Sequence, residues 1–119
     1  MTINLDDKGL KSIAHKFDLF FIDIWGVVHN GIRLFEDSIQ TLDELKKLNK
    51  EYVLLTNAPR PNITVIKFLK KMGLDNEKCK NVYTSGEAAL NYLHNNCKDL
   101  KFFHIGPPRD FDLFKLFEK

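Results

Sequence analysis

From residue 19 onward, short apolar runs alternate with stretches whose apolar residues recur every three or four positions. Leu19-Phe20-Phe21-Ile22-Asp23-Ile24 is apolar on both faces until its acidic exit, the pattern of a central parallel strand. Tyr52-Val53-Leu54-Leu55-Thr56, Asn81-Val82-Tyr83-Thr84 and Lys101-Phe102-Phe103-His104-Ile105 predict three further strands. Between them, Ile39, Leu42, Leu45 and Leu48 stripe a helix over 37–49, and Val65, Ile66, Leu69 and Met72 stripe another. A helix is also predicted over 88–96, and a last one carries Phe111, Phe114 and Phe117. Ahead of the first strand, Leu10, Ile13, Ala14 and Phe17 mark a short amphipathic helix over about 7–16.

The punctuation supports these elements. Asn30-Gly31, between Val27-Val28 and Ile32-Arg33-Leu34, predicts a small hairpin just after the first strand. Asp37 with Gln40, and Thr84 with Glu87, have capping-box spacing. Pro61 suits the first turn of a helix and Gly73 its end. Gly106-Pro107-Pro108 closes the fourth strand, and Asp110 is placed to cap the last helix. Strand and helix alternate throughout. The expected fold is α/β: a parallel sheet with helices on both faces, built from right-handed βαβ units.

Composition narrows the setting. The chain has 119 residues, 29% charged and 44% hydrophobic, which suits one ordinary globular domain. The net charge of +2 is spread along the chain and the lysines form no dense block, so nothing points to nucleic acid. Lys67, Lys70, Lys71, Lys78 and Lys80 read as a solvated helix face. Cys79 and Cys97 lack metal-ligand or disulfide-framework spacing, so a reduced, cytoplasmic setting is expected. Residues 1–7 have no basic start followed by an apolar stretch, so they do not read as a signal peptide. The longest apolar run is too short to cross a bilayer.

In a doubly wound sheet, Asp23, Thr56-Asn57 and Thr84-Ser85-Gly86 all fall at the carboxyl edge, where ligands bind. A carboxylate there can take up a phosphoryl group. Such chemistry calls for a magnesium ion to screen the approach of two anions. It also calls for hydroxyl and amide donors, which Thr56 and Asn57 supply. Each residue has a plainer role available: Asp23 can bond a loop, Thr56-Asn57 is ordinary turn chemistry, and capping alone accounts for Thr84. His15, His29, His94 and His104 show no ligand spacing. His29 follows Asp23 in a loop and reads as a surface histidine.

Phe21-Ile22-Asp23-Ile24-Trp25-Gly26-Val27-Val28-His29-Asn30-Gly31 resembles the first motif of the haloacid dehalogenase (HAD) superfamily. Leu55-Thr56-Asn57-Ala58-Pro59-Arg60-Pro61 resembles its second. Tyr83-Thr84-Ser85-Gly86-Glu87-Ala88 and His104-Ile105-Gly106-Pro107 are similar to the following segments of subfamily IIA, the sugar-phosphate, nucleotide and p-nitrophenyl phosphatases with a large cap. The resemblance implies a Rossmann-like core that is incomplete here. Residues 1–99 would be the N-terminal part of that core, and residues 100–119 the start of the cap or the linker to it. It implies Asp23 as nucleophile and magnesium ligand, the Trp25 backbone carbonyl as a second ligand, and Thr56 and Asn57 as binders of the phosphoryl group. The hairpin at Asn30-Gly31 resembles the family's flap. The implied partner is a small phosphorylated metabolite.

Two departures shape the expectation of activity. Family phosphatases carry an acid–base Asp two residues after the nucleophile; here Trp25 stands there, and its indole has no proton to exchange at neutral pH. The family's lysine and acidic-pair motifs lie beyond a full cap, and Lys119 comes before them. A truncated hydrolase with little or no activity by itself is therefore expected. The alternative is a non-catalytic binding or interaction module that keeps the fold. Phe111, Leu113, Phe114, Leu116 and Phe117 form an apolar surface that suits self-association. A receiver domain would need an acidic pair at the end of the first strand, and a dinucleotide-binding domain a G-x-G-x-x-G after a strand. Neither occurs.

Overall fold

The computed structural model describes residues 4–117, without the side chains of Leu116 and Phe117. Among them are three parallel strands, β1 (Leu19–Asp23), β2 (Glu51–Thr56) and β3 (Val82–Thr84), in the order β1-β2-β3. Helices α1 (Glu36–Lys47), α2 (Asn62–Lys71), α3 (Asn76–Cys79) and α4 (Ser85–Asn96) connect or follow them. The parallel sheet with intervening helices agrees with the fold class expected from the sequence.

The core lies on one face of the sheet. Leu54 of β2 and Leu69 of α2 are completely buried, and Leu42 and Leu45 of α1 join them with Tyr52 and Val82. Leu42 and Leu45 belong to the predicted stripe. Burying each such side chain is worth roughly 1.5–3 kcal/mol, so this cluster holds α1 and α2 on the sheet. The other face bears Phe21, 68% exposed, with Leu19 and Leu55 beside it. On that side Asn91 of α4 donates to the Tyr83 hydroxyl at 3.4 Å.

At α3, Lys78 is buried between Asp43, 2.6 Å away on α1, and Asp75, the N-cap of α3. Burial opposes its charge, but its bonds to the two carboxylates prevail and its pKa is raised. The expected solvated lysine face is corrected here: this lysine is a structural tie.

Among the described residues no strand pairs with the outer side of β1. Other expectations change. Residues 7–16 form two short 3₁₀ turns, Leu10–Ser12 and Ala14–Lys16, in place of an α-helix. Helix α1 begins at Glu36 with Phe35 before it, so Asp37 sits in the first turn and makes no capping bond. Residues 101–105 form no strand; no neighbour is aligned to pair with them, and Phe103 and Ile105 are about nine-tenths exposed. The last helix is 3₁₀, spanning Pro108–Phe117. Its expected open stripe is partly folded in: Leu113 is buried, and Phe114 packs against Phe102 and His104.

Candidate active site

The register of β1, β2 and β3 aligns Asp23 with Leu55 and Thr56 with Thr84. Parallel pairing thus brings the three strand exits to one edge, as the order of elements predicts. Asp23 is exposed, and its Oδ1 accepts from the Ile24 amide at 2.9 Å. It shares a shallow pocket with Phe21, Leu55, Thr56 and Asn57. The Thr56 hydroxyl accepts from the Ala58 amide at 3.2 Å, which leaves its proton for another acceptor. The Asn57 side-chain amide makes no hydrogen bond among the described residues. A carboxylate, a hydroxyl and an amide therefore face one opening.

Trp25 lies beside this pocket and lines a second one. That cleft, of about 450 Å³, is bounded by Trp25, His29, Val65 and Phe68 on an apolar side. Thr56, Asn57, Arg60 and Arg109 bound it on a polar side. The two hollows share Thr56 and Asn57.

The loop from Ile24 to Leu34 folds on itself. The Ile24 carbonyl accepts from the amides of Val27, Val28 and His29, and the Gly26 amide donates to the His29 carbonyl at 2.8 Å. Asn30 Oδ1 accepts from the Ile32 and Arg33 amides, which makes the predicted turn, though its arms form isolated bridges and not strands. Gly31 has φ +87°, and a Cβ there would lie 2.5 Å from the Trp25 ring. Only glycine allows that turn to lie flat under the indole.

His29 is only 4% exposed, against the expected surface histidine. Its Nδ1 accepts from the Gly31 amide at 2.8 Å, and its ring meets Trp25 and Phe68 edge-on. Burial lowers its pKa, so the neutral imidazole with its proton on Nε2 is the form this site holds. The alternation of Val28 with Trp25 and Val27 gave no sign of this burial.

The wall opposite is wired by distant contacts. The Thr84 hydroxyl donates to the Arg60 carbonyl and accepts from the Glu87 amide, as the capping spacing predicts. The Ser85 hydroxyl meets the carbonyls of Asn57 and Ala58, and the Gly86 amide donates to Ala58. Asn62 Oδ1 accepts from the Thr84 amide, and Glu87 Oε2 accepts from the Asn62 amide. Glu87 thus serves α2, not the return arm of a capping box. The hydroxyls of Thr84 and Ser85 are engaged in holding the loop, so the structural role weighed for them is the one observed. A Cβ on Gly86 would lie 2.3 Å from the Arg60 backbone nitrogen.

Arg60 and Arg109 carried no role in the sequence reading. Both approach one carboxylate, Asp110, at 3.8 and 3.9 Å. Asp110 thus binds side chains and does not cap the last helix. Arg60 stood within the second motif, but Arg109 comes from 49 positions further on, a distance only folding closes.

The sequence profile of the haloacid dehalogenase-like hydrolases matches residues 20–117. Phosphoglycolate phosphatase 2 of Arabidopsis thaliana is 29% identical over 105 residues, covering 86% of this chain and 35% of that protein. A haloacid dehalogenase-like hydrolase from Brucella suis superposes with a TM-score of 0.76 at 29% identity, over 89% of this chain and 38% of the other. A 4-nitrophenylphosphatase from Thermotoga maritima gives 0.71 at 26% identity, over 88% and 40%. The chain thus spans about a third of the curated relative it matches. With the motif residues at one sheet edge and the profile covering nearly the whole sequence, this chain belongs to the haloacid dehalogenase-like hydrolases, alongside the phosphatases of subfamily IIA.

Proposed function

We propose that the carboxyl edge is the phosphoryl end of a magnesium-dependent phosphatase-type site acting through an aspartyl-phosphate on a small phosphorylated metabolite. The observation that carries this reading is the single pocket shared by Asp23, Thr56 and Asn57. Asp23 attacks phosphorus while the bond to the leaving oxygen breaks. Thr56 and Asn57 donate to the phosphoryl oxygens and hold them in line. The relatives named as phosphatases support the reaction class.

The residues suit magnesium in part. Asp23 offers an exposed carboxylate, and no donor among the described residues bonds the Trp25 carbonyl. Magnesium accepts one or two such oxygens and fills the rest with water. No group of three or more acidic, histidine or cysteine side chains gathers for a metal among the described residues. When bound, the ion would screen the charge between Asp23 and phosphate.

Trp25 supplies no proton to the leaving group, a loss of about a hundred- to ten-thousand-fold. We therefore propose that these 119 residues alone hydrolyse little or nothing. Magnesium titration should show weak binding that Asp23→Asn removes; equal binding by the two proteins overturns the metal role. With p-nitrophenyl phosphate, negligible turnover is expected. Robust turnover abolished by Asp23→Asn would overturn the inactivity. The second reading, a binding module that keeps the fold, draws on Trp25. It expects phosphate binding without turnover in any longer form of the chain.

A further inference from the structure

We propose that the 450 Å³ cleft beside Trp25 receives the leaving-group part of the substrate, and that Arg60 and Arg109 read a second anionic group on it, a carboxylate or a phosphate. This rests on the reading of Asp23, Thr56 and Asn57 as the phosphoryl end. The cleft adjoins that end through Thr56 and Asn57, so one ligand can span both hollows. Its volume is that of a small-molecule site, and Trp25, Val65 and Phe68 give it apolar surface.

The charge balance favours an anion. Two guanidinium groups face one carboxylate, Asp110, and each nitrogen lies beyond hydrogen-bond reach of it. Neither guanidinium donates a hydrogen bond among the described residues, so their forked donors remain open to a ligand. The other carboxylate of this segment, Asp112, does not line the cleft and accepts from the Thr64 hydroxyl at 2.9 Å.

Arg60 is also held in place. Its carbonyl accepts from Thr84, and the bare Gly86 packs against its backbone. A side chain on a fixed backbone loses less freedom on binding. The Arg60 side chain is 35% exposed and that of Arg109 77%, so Arg60 works under less solvent screening.

The test is an NMR titration of the whole chain with magnesium in excess. The probes are methylphosphonate, phosphonoacetate and methylenediphosphonate. One or both of the two-anion probes should bind about tenfold or more tightly than methylphosphonate, the worth of one charge-assisted hydrogen bond. Which of the two gains more tells carboxylate from phosphate. Arg60→Gln should abolish the advantage and Arg109→Gln reduce it, with methylphosphonate binding unchanged as the check on folding. Equal affinity for one- and two-anion probes in the unaltered chain overturns the inference and leaves the phosphoryl end standing. So does an advantage that survives both substitutions. If no probe binds, the phosphoryl end itself is refuted and the inference falls with it.

Discussion

The two walls of the site are built in opposite ways. The wall that carries Asp23, residues 23–34, is tied mostly by bonds within its own loop, from Ile24, His29 and Asn30 to neighbours a few residues away, with Phe35 and Ser38 just beyond it donating to the Val28 and Val27 carbonyls. The facing wall, Thr56 to Asn62, is tied to residues 84–87, which lie 22 to 28 positions later. A loop clamped from afar depends on the docking of another element, here the first turn of α4. In this protein, the residue proposed to react sits on the self-sufficient wall, and the residues proposed to hold phosphate sit on the dependent one.

The sharpest way to break this contrast is at Gly86. A side chain there runs into the Arg60 backbone. Gly86→Val should cost at least about 2 kcal/mol in urea unfolding, the scale of overpacking against an unyielding neighbour. The amide resonances of residues 57–62 should shift with it. An unchanged midpoint would mean that the clamp is slack.

A smaller effect is expected from pH on the other wall. His29 has a pKa below its usual value because it is buried. As pH falls through about 6.5, the unfolded chain takes up a proton that the folded chain does not, so stability is lost. The carboxylates with lowered pKa values, Asp75 and Glu77, titrate well below this window. The urea midpoint should fall between about pH 7.5 and pH 5.5, and the fall should be smaller in His29→Gln. Equal slopes would remove His29 from the account.

The smallest change is expected at Asp23. Its carboxylate is exposed and, among the described residues, bonds only the next amide. Asp23→Asn should alter stability by no more than about 0.5 kcal/mol, as surface substitutions do. A large loss would make Asp23 a structural residue and undercut its proposed chemistry.

Much of this was legible in the sequence. The strands β1, β2 and β3, the helix stripes, the Asn30-Gly31 turn and the Thr84 cap follow from periodicity and local bonding, which act over a few residues. The strand expected over 101–105 fails because a strand needs a partner, and partners are set by topology. His29 was misplaced because its loop carries no period from which burial can be read.

The sequence by itself determined the alternation of elements, the carboxyl-edge placement of Asp23, Thr56 and Asn57, and an indole, not a carboxylate, two residues after Asp23. These depend on neighbouring residues and on the handedness of parallel connections. Only the tertiary structure decided that residues 84–87 clamp the loop after β2, that Lys78 is buried between two aspartates, and that Arg60 and Arg109 meet at one cleft. Each of these joins side chains on separate elements, and their contact exists only after the helices have packed on the sheet.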